Sequence, residues 1–406
     1  VTTGQAFATA LRRRLAPERW PIPAEALPAD AVLVGGAVRD AALGRLNSQP
    51  DLDLVLSEGA IRLGRQLARD QGGTCVVLDD KRDIARIVLA GWTIDLARRQ
   101  GPDLASDLRR RDYTVNAIAL PLSPGSPVVD PTGGLGHLTR RKLVAVAELN
   151  LLDDPLRLLR GVRLAAELGF VIEEPTLHWI DTHARRLGEV AGERVLTELE
   201  KLAVAPTGEH GLMLACKLKL LEPWGAQPAS ALPITRLAVT AAREQGLREQ
   251  ELAAALPIAR MAWLLSGAAA GRLKGSRRLQ MRCNLLRRWW KVLANQPLES
   301  LEERPRLELH QQLDTDLPAL LLNQSGPTAR EALARWRNPA DTLFHPRPPL
   351  DGHQLQQNLG LKPGPELGRI LDHLMVEQAF GRLPPHDMPA ALNAARQWLS
   401  RHSPTA

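Results

Sequence analysis

Val34-Gly35-Gly36-Ala37-Val38-Arg39-Asp40, followed by Asp51-Leu52-Asp53-Leu54, is the stretch on which the reading of this chain turns. Its first half reads as a strand that ends in two glycines and hands over to a helix. Without a Cβ, Gly35 and Gly36 let backbone N–H groups approach phosphate oxygens, and the helix N-terminus adds a favourable dipole. Arg39 can bring positive charge to the same phosphates. A Gly-Gly turn by itself is common in structural turns, so the weight falls on Asp51 and Asp53. Side chains two apart on a strand share one face, which brings both carboxylates to one spot. Such a pair repels unless something neutralises it, and Mg²⁺ with a nucleoside triphosphate does so.

Working outward, Asp95 lies between apolar neighbours in Trp92-Thr93-Ile94-Asp95-Leu96, on another expected strand. A third carboxylate there can hold metal or take a proton from an attacking hydroxyl. In Arg110-Arg111-Asp112-Tyr113-Thr114-Val115-Asn116-Ala117, Arg111 suits triphosphate, while Asp112 and Asn116 suit its orientation or a ribose hydroxyl. Asp130-Pro131-Thr132-Gly133-Gly134 reads first as a turn. Asp153-Asp154-Pro155-Leu156-Arg157-Leu158-Leu159-Arg160-Gly161-Val162-Arg163 opens a helical region, with Pro155 suited to a first turn. Asp154, Arg157 and Arg160 form one polar strip at helical spacing. An acid paired with a guanidinium matches the exposed edge of cytosine or adenine and rejects guanine and uracil.

Around these motifs, short β-type runs are expected at 31–34, 52–56, 74–78, 84–89 and 93–96, with a helix over 60–71. From 154 onward the apolar spacing turns helical, with Gly169 as a stop and further helices near 176–187, 194–204, 211–221, 232–244, 253–265 and 277–293. Proline-bearing breaks around 296–305 and 338–349 precede a helical tail. The fold class is therefore α+β: a head with a small sheet, then an all-helical remainder. At 406 residues and 44.5 kDa, several domains are expected. No apolar run is long enough for a membrane helix, residues 1–20 carry no secretory pattern, and Cys75, Cys216 and Cys283 are far apart, so a cytoplasmic protein without membrane contact is expected. Residues 261–300 carry eight basic side chains against one acid, Glu299, which suits a polyanionic partner as well as a solvated helix face.

In this order, GGAVRD, DLD, RRDYTVNA, DPTGG and DDPLRLLRGVR resemble class II tRNA nucleotidyltransferases and bacterial poly(A) polymerases, over roughly residues 31–200. Glu193-Arg194-Val195-Leu196-Thr197-Glu198-Leu199 is similar to the helix that follows in that family, and the segment 360–368 to a C-terminal piece of bacterial members. The resemblance implies a polymerase-β-like nucleotidyltransferase head with a small mixed sheet (1–150), a base-recognising neck (151–205), and a helical body (206–345) and tail (346–406) that hold tRNA. It assigns Mg²⁺ to Asp51 and Asp53 and makes Asp95 the third acid. Gly35, Gly36, Arg39, Arg111, Asp112 and Asn116 fall at the triphosphate and sugar. Asp154 and Arg157 would read the base, supported by Arg160 and Arg163. Arg277, Arg278, Arg282, Arg287, Arg288 and Lys291 are the candidate RNA contacts.

Two departures bear on the product. Asp153 stands where the family commonly has Glu, a same-charge change. Only sixteen positions separate Asp95 from Arg111. Complete CCA-adding members usually carry a longer flexible loop there, and members lacking it typically add two cytidines. Addition of CC from CTP to the tRNA 3′ end and acceptor stem is therefore the expectation, with a separate A-adding enzyme in sequence. The alternatives are full CCA addition using ATP as well, poly(A) synthesis, nucleotidyl transfer to a small molecule, and a catalytically idle RNA-binding protein. His386-Asp387 is a solitary pair in a proline-rich turn and reads as structural.

Overall fold

A computed structural model of the chain describes residues 3–294, 296–324 and 326–402; the first two residues of the expected head and the last four of the expected tail lie outside that span. By contact the chain divides into two compact units, Val1–Val190 with Leu218–Leu220, and Ala191–Lys217 with Leu221–Ala406. The head-to-neck boundary expected at 150 lies inside the first unit.

That unit holds strands β1 (Val32–Val34), β2 (Leu52–Leu56), β3 (Thr74–Asp79), β4 (Ile84–Leu89), β5 (Trp92–Arg98) and β6 (Ala119–Pro121). Its helices include α1 (Thr3–Leu15), α2 (Gly36–Leu43), α3 (Ala60–Gln71), α4 (Leu104–Leu108), α5 (Gly134–Thr139), α6 (Glu148–Asp153) and α7 (Leu156–Leu168). The sheet order is β3-β4-β5-β2-β1-β6, with β2 and β5 parallel and the other neighbours antiparallel. The mixed sheet matches the expected class, and β6 is an addition. Its three residues end at a proline, too little for an alternating pattern to show.

Each sheet face has a different cover. A Cβ on Gly64 of α3 would lie 3.3 Å from both Ala85 and Cys75 and 3.5 Å from Leu96, so α3 sits tightly on that face. On the other face, Leu104 and Leu108 of α4 pack with Val32, Val34, Val55 and Ala119. This covers β6, β1 and β2, while Arg86 and Val88 of β4 face solvent beyond them.

Helix α7 starts at Leu156, two residues later than Asp154, because Asp154 is extended (φ −143°, ψ 97°) between α6 and Pro155. Gly169 caps α7 in the left-handed conformation, as expected. The helix expected over 176–187 is α-helical only over Glu174–Thr182, and a 3₁₀ turn, Ala184–Glu189, completes it. The one expected over 232–244 is broken: Pro233 and Ala238 are both extended and bracket a 3₁₀ turn, Ile234–Leu237, before the helix Val239–Glu244.

In the second unit, Arg260 is almost wholly buried yet satisfied. It donates to the carbonyls of Leu237, Ala203 and Ala205 and pairs with Glu209. The tail helices Gly352–Leu359, Pro365–Ala379 and Met388–His402 share a core of Leu355, Ile370, Leu374, Ala391 and Ala395.

Candidate active site

The acids meet at one end of the sheet because of register. Asp53 of β2 pairs with Asp95 of β5 and with Val34 of β1, and Gly35 follows directly at the β1 edge. Asp51, just before β2, faces the same way as Asp53. Gly35 has φ 76° and ψ −139°, a backbone shape that a β-carbon resists, and it forms the N-terminal cap of α2. A Cβ there would also strike the Asp53 carboxylate. The Gly-Gly turn therefore brings open backbone amides and the α2 N-terminus beside the acids.

Burial pushes the Asp53 carboxyl up to about 6; Arg111 draws it down, and Asp95 and Asp51 push it up again. A carboxylate so placed favours a cation. Among the described residues, no group of three or more His, Cys, Asp or Glu side chains stands ready to hold a metal ion. Two carboxylates completed by nucleotide phosphate oxygens form the hard-oxygen set that Mg²⁺ commonly takes, so the residues fit that ion. Arg111 lies within reach of Asp107 (3.3 Å), and its buried Nε has no protein partner.

Arg86 was not foreseen. Its Nε and Nη2 donate to the two Asp95 oxygens at 2.7 and 2.8 Å. The signal lay in the turn: Ala90 and Gly91 both have positive φ, the pattern of a two-residue hairpin. That hairpin pairs Leu89 with Trp92 and hence Arg86 with Asp95.

Behind the acids runs a buried relay. Arg39 donates to Asp40 and, at 2.8 Å, to Asn116 Oδ1. The Asn116 amide approaches Asp112 Oδ1, and Arg160 of α7 donates to Asp112 Oδ2 at 2.9 Å. Burial works to raise the Asp112 carboxyl, but Arg160 and the Tyr113 N–H outweigh it and hold it below the ordinary range. Arg39, Asp112 and Asn116 are thus turned inward and bonded to one another. Arg163 pairs with Glu167 four residues on, and Glu167 also meets Arg39 and Arg45.

Arg157 is held by the carbonyls of Asn150 (2.8 Å) and Arg110 (3.2 Å). Asn150, also unforeseen, donates to the carbonyls of Arg109 and Arg111 and so ties α6 to the RRD segment. Asp154 accepts from the Leu156 N–H at the start of α7. The chain's one tyrosine, Tyr113, is buried and donates to the Arg157 carbonyl at 2.8 Å, close against Gly161.

Two motifs supply local helix caps. Asp130 accepts from the Gly134 and Leu135 N–H groups and caps α5. Asp387 accepts from the Ala390 N–H at the start of the last helix. The basic helix Arg277–Val292 splits into two groups. Arg277, Arg278, Arg288 and Lys291 are exposed, though Arg288 also meets Glu308. Arg282 is held bidentate by Asp316, and Arg287 donates to the carbonyls of Gln227, Ala262 and Trp263. Both therefore hold the helix in its unit, which removes them from the set of free RNA contacts.

A mixed sheet carrying register-paired acids beside a Gly-Gly helix cap defines a nucleotidyltransferase of the polymerase-β-like fold. Residues 31–144 match the poly A polymerase head domain, and residues 169–225 match a probable RNA and SrmB-binding site of polymerase A. The chain is 35% identical to the CC-adding tRNA nucleotidyltransferase of Synechocystis sp. over 90% of its length and 93% of the relative's. It is 32% identical to the CC-adding tRNA nucleotidyltransferase of Thermus thermophilus, covering 88% and 91%. The Bacillus stearothermophilus CCA-adding enzyme in complex with CTP shares the fold over the full length of both chains, at 21% identity and TM-score 0.67. The chain belongs to the tRNA nucleotidyltransferase and poly(A) polymerase family, and it is an enzyme. Enzymes of this family generally use a divalent metal. No helix among the described residues is long and apolar enough to cross a membrane.

Proposed function

We propose that this chain is a cytoplasmic CC-adding tRNA nucleotidyltransferase that takes CTP and leaves the terminal adenosine to a separate enzyme. The observation that carries the product assignment is the connection after β5. Only residues 99–103 join it to α4, and they are tied down. The Gln100 N–H donates to Asp107 at 2.8 Å, its side chain donates to the Arg98 carbonyl, and Asp103 caps α4 through the Ser106 N–H. A turn so short and so bonded has little freedom to reshape a pocket from cytosine to adenine. The long matches to two CC-adding relatives agree with this reading.

Asp51 and Asp53 would hold Mg²⁺ with the triphosphate. When bound, the ion neutralises charge on the phosphates and makes the attacking oxygen more acidic. The Gly35–Gly36 turn and α2 N-terminus cradle phosphate, and Arg111, with its unpartnered Nε, is the nearby cation. The tRNA 3′-oxygen bonds to the α-phosphorus as the bond to the β-phosphate's bridging oxygen breaks, and pyrophosphate leaves. The hydroxyl proton passes to Asp95, which Arg86 holds in place. Asp154 accepts from the cytosine N4 amine and Arg157 donates to its ring acceptors. Asp112, Asn116, Arg39, Arg160 and Arg163 keep that pair in register with the acids. Exposed Arg277, Arg278, Arg288 and Lys291 serve the RNA backbone. The three unpaired cysteines suit a reducing compartment.

The test is incubation with Mg²⁺ and a tRNA transcript ending at the discriminator base, supplied with CTP, ATP or both. Two added cytidines and no adenosine are expected, and a transcript already ending in CC should receive no adenosine. An adenosine added after CC would overturn the CC assignment.

A further inference from the structure

One row of side chains crosses four strands on the acid-bearing face. Val76 of β3 pairs with Arg86 of β4, Arg86 with Asp95 of β5, and Asp95 with Asp53 of β2. In the next row Thr74 pairs with Val88, and Val88 with Thr93. The covered and open halves of this face differ in chemistry. Toward β1 lie the Gly-Gly turn and the cover of α4. Toward β3 the face is open: Val76 is 47% exposed, Leu78 and Val88 are each 49% exposed, and β3 ends the sheet.

In-line displacement puts the attacking and leaving oxygens on opposite sides of the α-phosphorus. The leaving pyrophosphate belongs with the Gly35–Gly36 turn, on the β1 side of the acids. The attacking hydroxyl must therefore arrive from the β4–β3 side. There it meets a cation next to apolar surface, which is the chemistry of a ribose-phosphate followed by a base. Arg86 spends Nε and one Nη2 hydrogen on Asp95. A guanidinium has five donors, so both Nη1 hydrogens and one Nη2 hydrogen remain for a phosphate.

We propose that Arg86, with the apolar platform of Val76 and Val88, is the subsite that seats the 3′-terminal nucleotide of the acceptor RNA. Arg86 contacts its phosphodiester while holding Asp95 toward its 3′-hydroxyl. The proposal rests on the nucleotidyl-transfer reading above and adds where the acceptor strand lies. Its occupant follows from the charge of Arg86 and from continuity with the acids.

The test compares wild type, Arg86→Gln and Val88→Ser on a tRNA transcript lacking its 3′ CCA. The readouts are acceptor KM against salt, and CTP binding measured separately by equilibrium dialysis with Mg²⁺. Arg86→Gln is expected to raise acceptor KM about tenfold and to make its salt dependence shallower by about 0.7 in logarithmic slope. CTP binding should be unchanged. Val88→Ser leaves the Arg86–Asp95 pair intact, removes part of the apolar platform, and should raise acceptor KM severalfold with the salt slope unchanged. A fall in kcat with acceptor KM and slope unmoved in both variants would reduce Arg86 to a positioning residue for Asp95 and overturn the subsite. Failure of the wild type to add cytidine would instead remove the underlying reading.

Discussion

Gly35 closes on Asp53 so tightly that a Cβ built on the glycine would stand 2.6 Å from the aspartate Oδ2. The main chain of the turn and the carboxylate of the adjacent strand are thus fitted to each other, and φ at Gly35 is positive besides. Gly35→Ala should leave the protein folded, at a cost of about 1–3 kcal/mol. A misplacement of about 1 Å at reacting groups can lower turnover about 100-fold. Cytidine incorporation should therefore collapse while the melting temperature falls only a few degrees; near-normal turnover would separate the turn from the chemistry.

Asp53 gives the metal-free protein a pH signature. Its carboxyl is raised to about 6, so the folded chain keeps a proton that the unfolded chain releases near pH 4. Stability from this group is fullest at low pH and is lost as pH rises through about 6. In EDTA, Asp53→Asn should therefore be more stable than wild type by about 3 kcal/mol above that pH, with the gap closing toward pH 4. Added Mg²⁺ should narrow the gap by stabilising the wild type alone. Calorimetric melts across pH 4–8 decide it, and parallel curves would mean that Asp53 is already neutralised within the protein.

Much of the head was legible because its signals are local. Strand alternation, Gly-Gly before a helix and Asp two residues from Asp need no knowledge of partners. Most of what sequence reading missed depends on partners distant in the chain; Arg86, nine positions from Asp95 across a hairpin, is the exception. Arg39 and Asn116 are 77 positions apart, and only the fold turns that arginine inward to an amide. A helical wheel cannot tell exposed Arg278 from Arg282, whose Asp316 partner is 34 positions away. The break at Ala238 likewise replaces a continuous apolar pattern with an extended residue.

The Arg160–Asp112 bond spans 48 positions and joins α7 to the RRD segment. Asp112 is buried, so Arg160→Leu strands a charge and should destabilise by about 3–5 kcal/mol. Adding Asp112→Asn to that variant removes the stranded charge and should recover part of the loss. Denaturant melts of the two singles and the double form the cycle. Simple additivity would show that the pair contributes no coupling.

Tyr113 and Gly161 determine where Arg157 can stand. A Cβ on Gly161 would fall 2.1 Å from the tyrosine hydroxyl, which donates to the Arg157 carbonyl. Tyr113→Phe removes only that hydrogen bond and should cost about 1 kcal/mol. Gly161→Ala must move the ring or the helix and should cost about 1–3 kcal/mol. The two should also separate in selectivity. The phenylalanine keeps its ring against Gly161 and Arg157 in its place, so preference for CTP over UTP should persist. The alanine displaces the first turns of α7, and the preference should fall severalfold as Arg157 leaves the Asn150 carbonyl. Single-nucleotide incorporation with CTP and UTP as competitors measures this directly. An unchanged ratio in Gly161→Ala would show that base choice does not depend on the seat of Arg157.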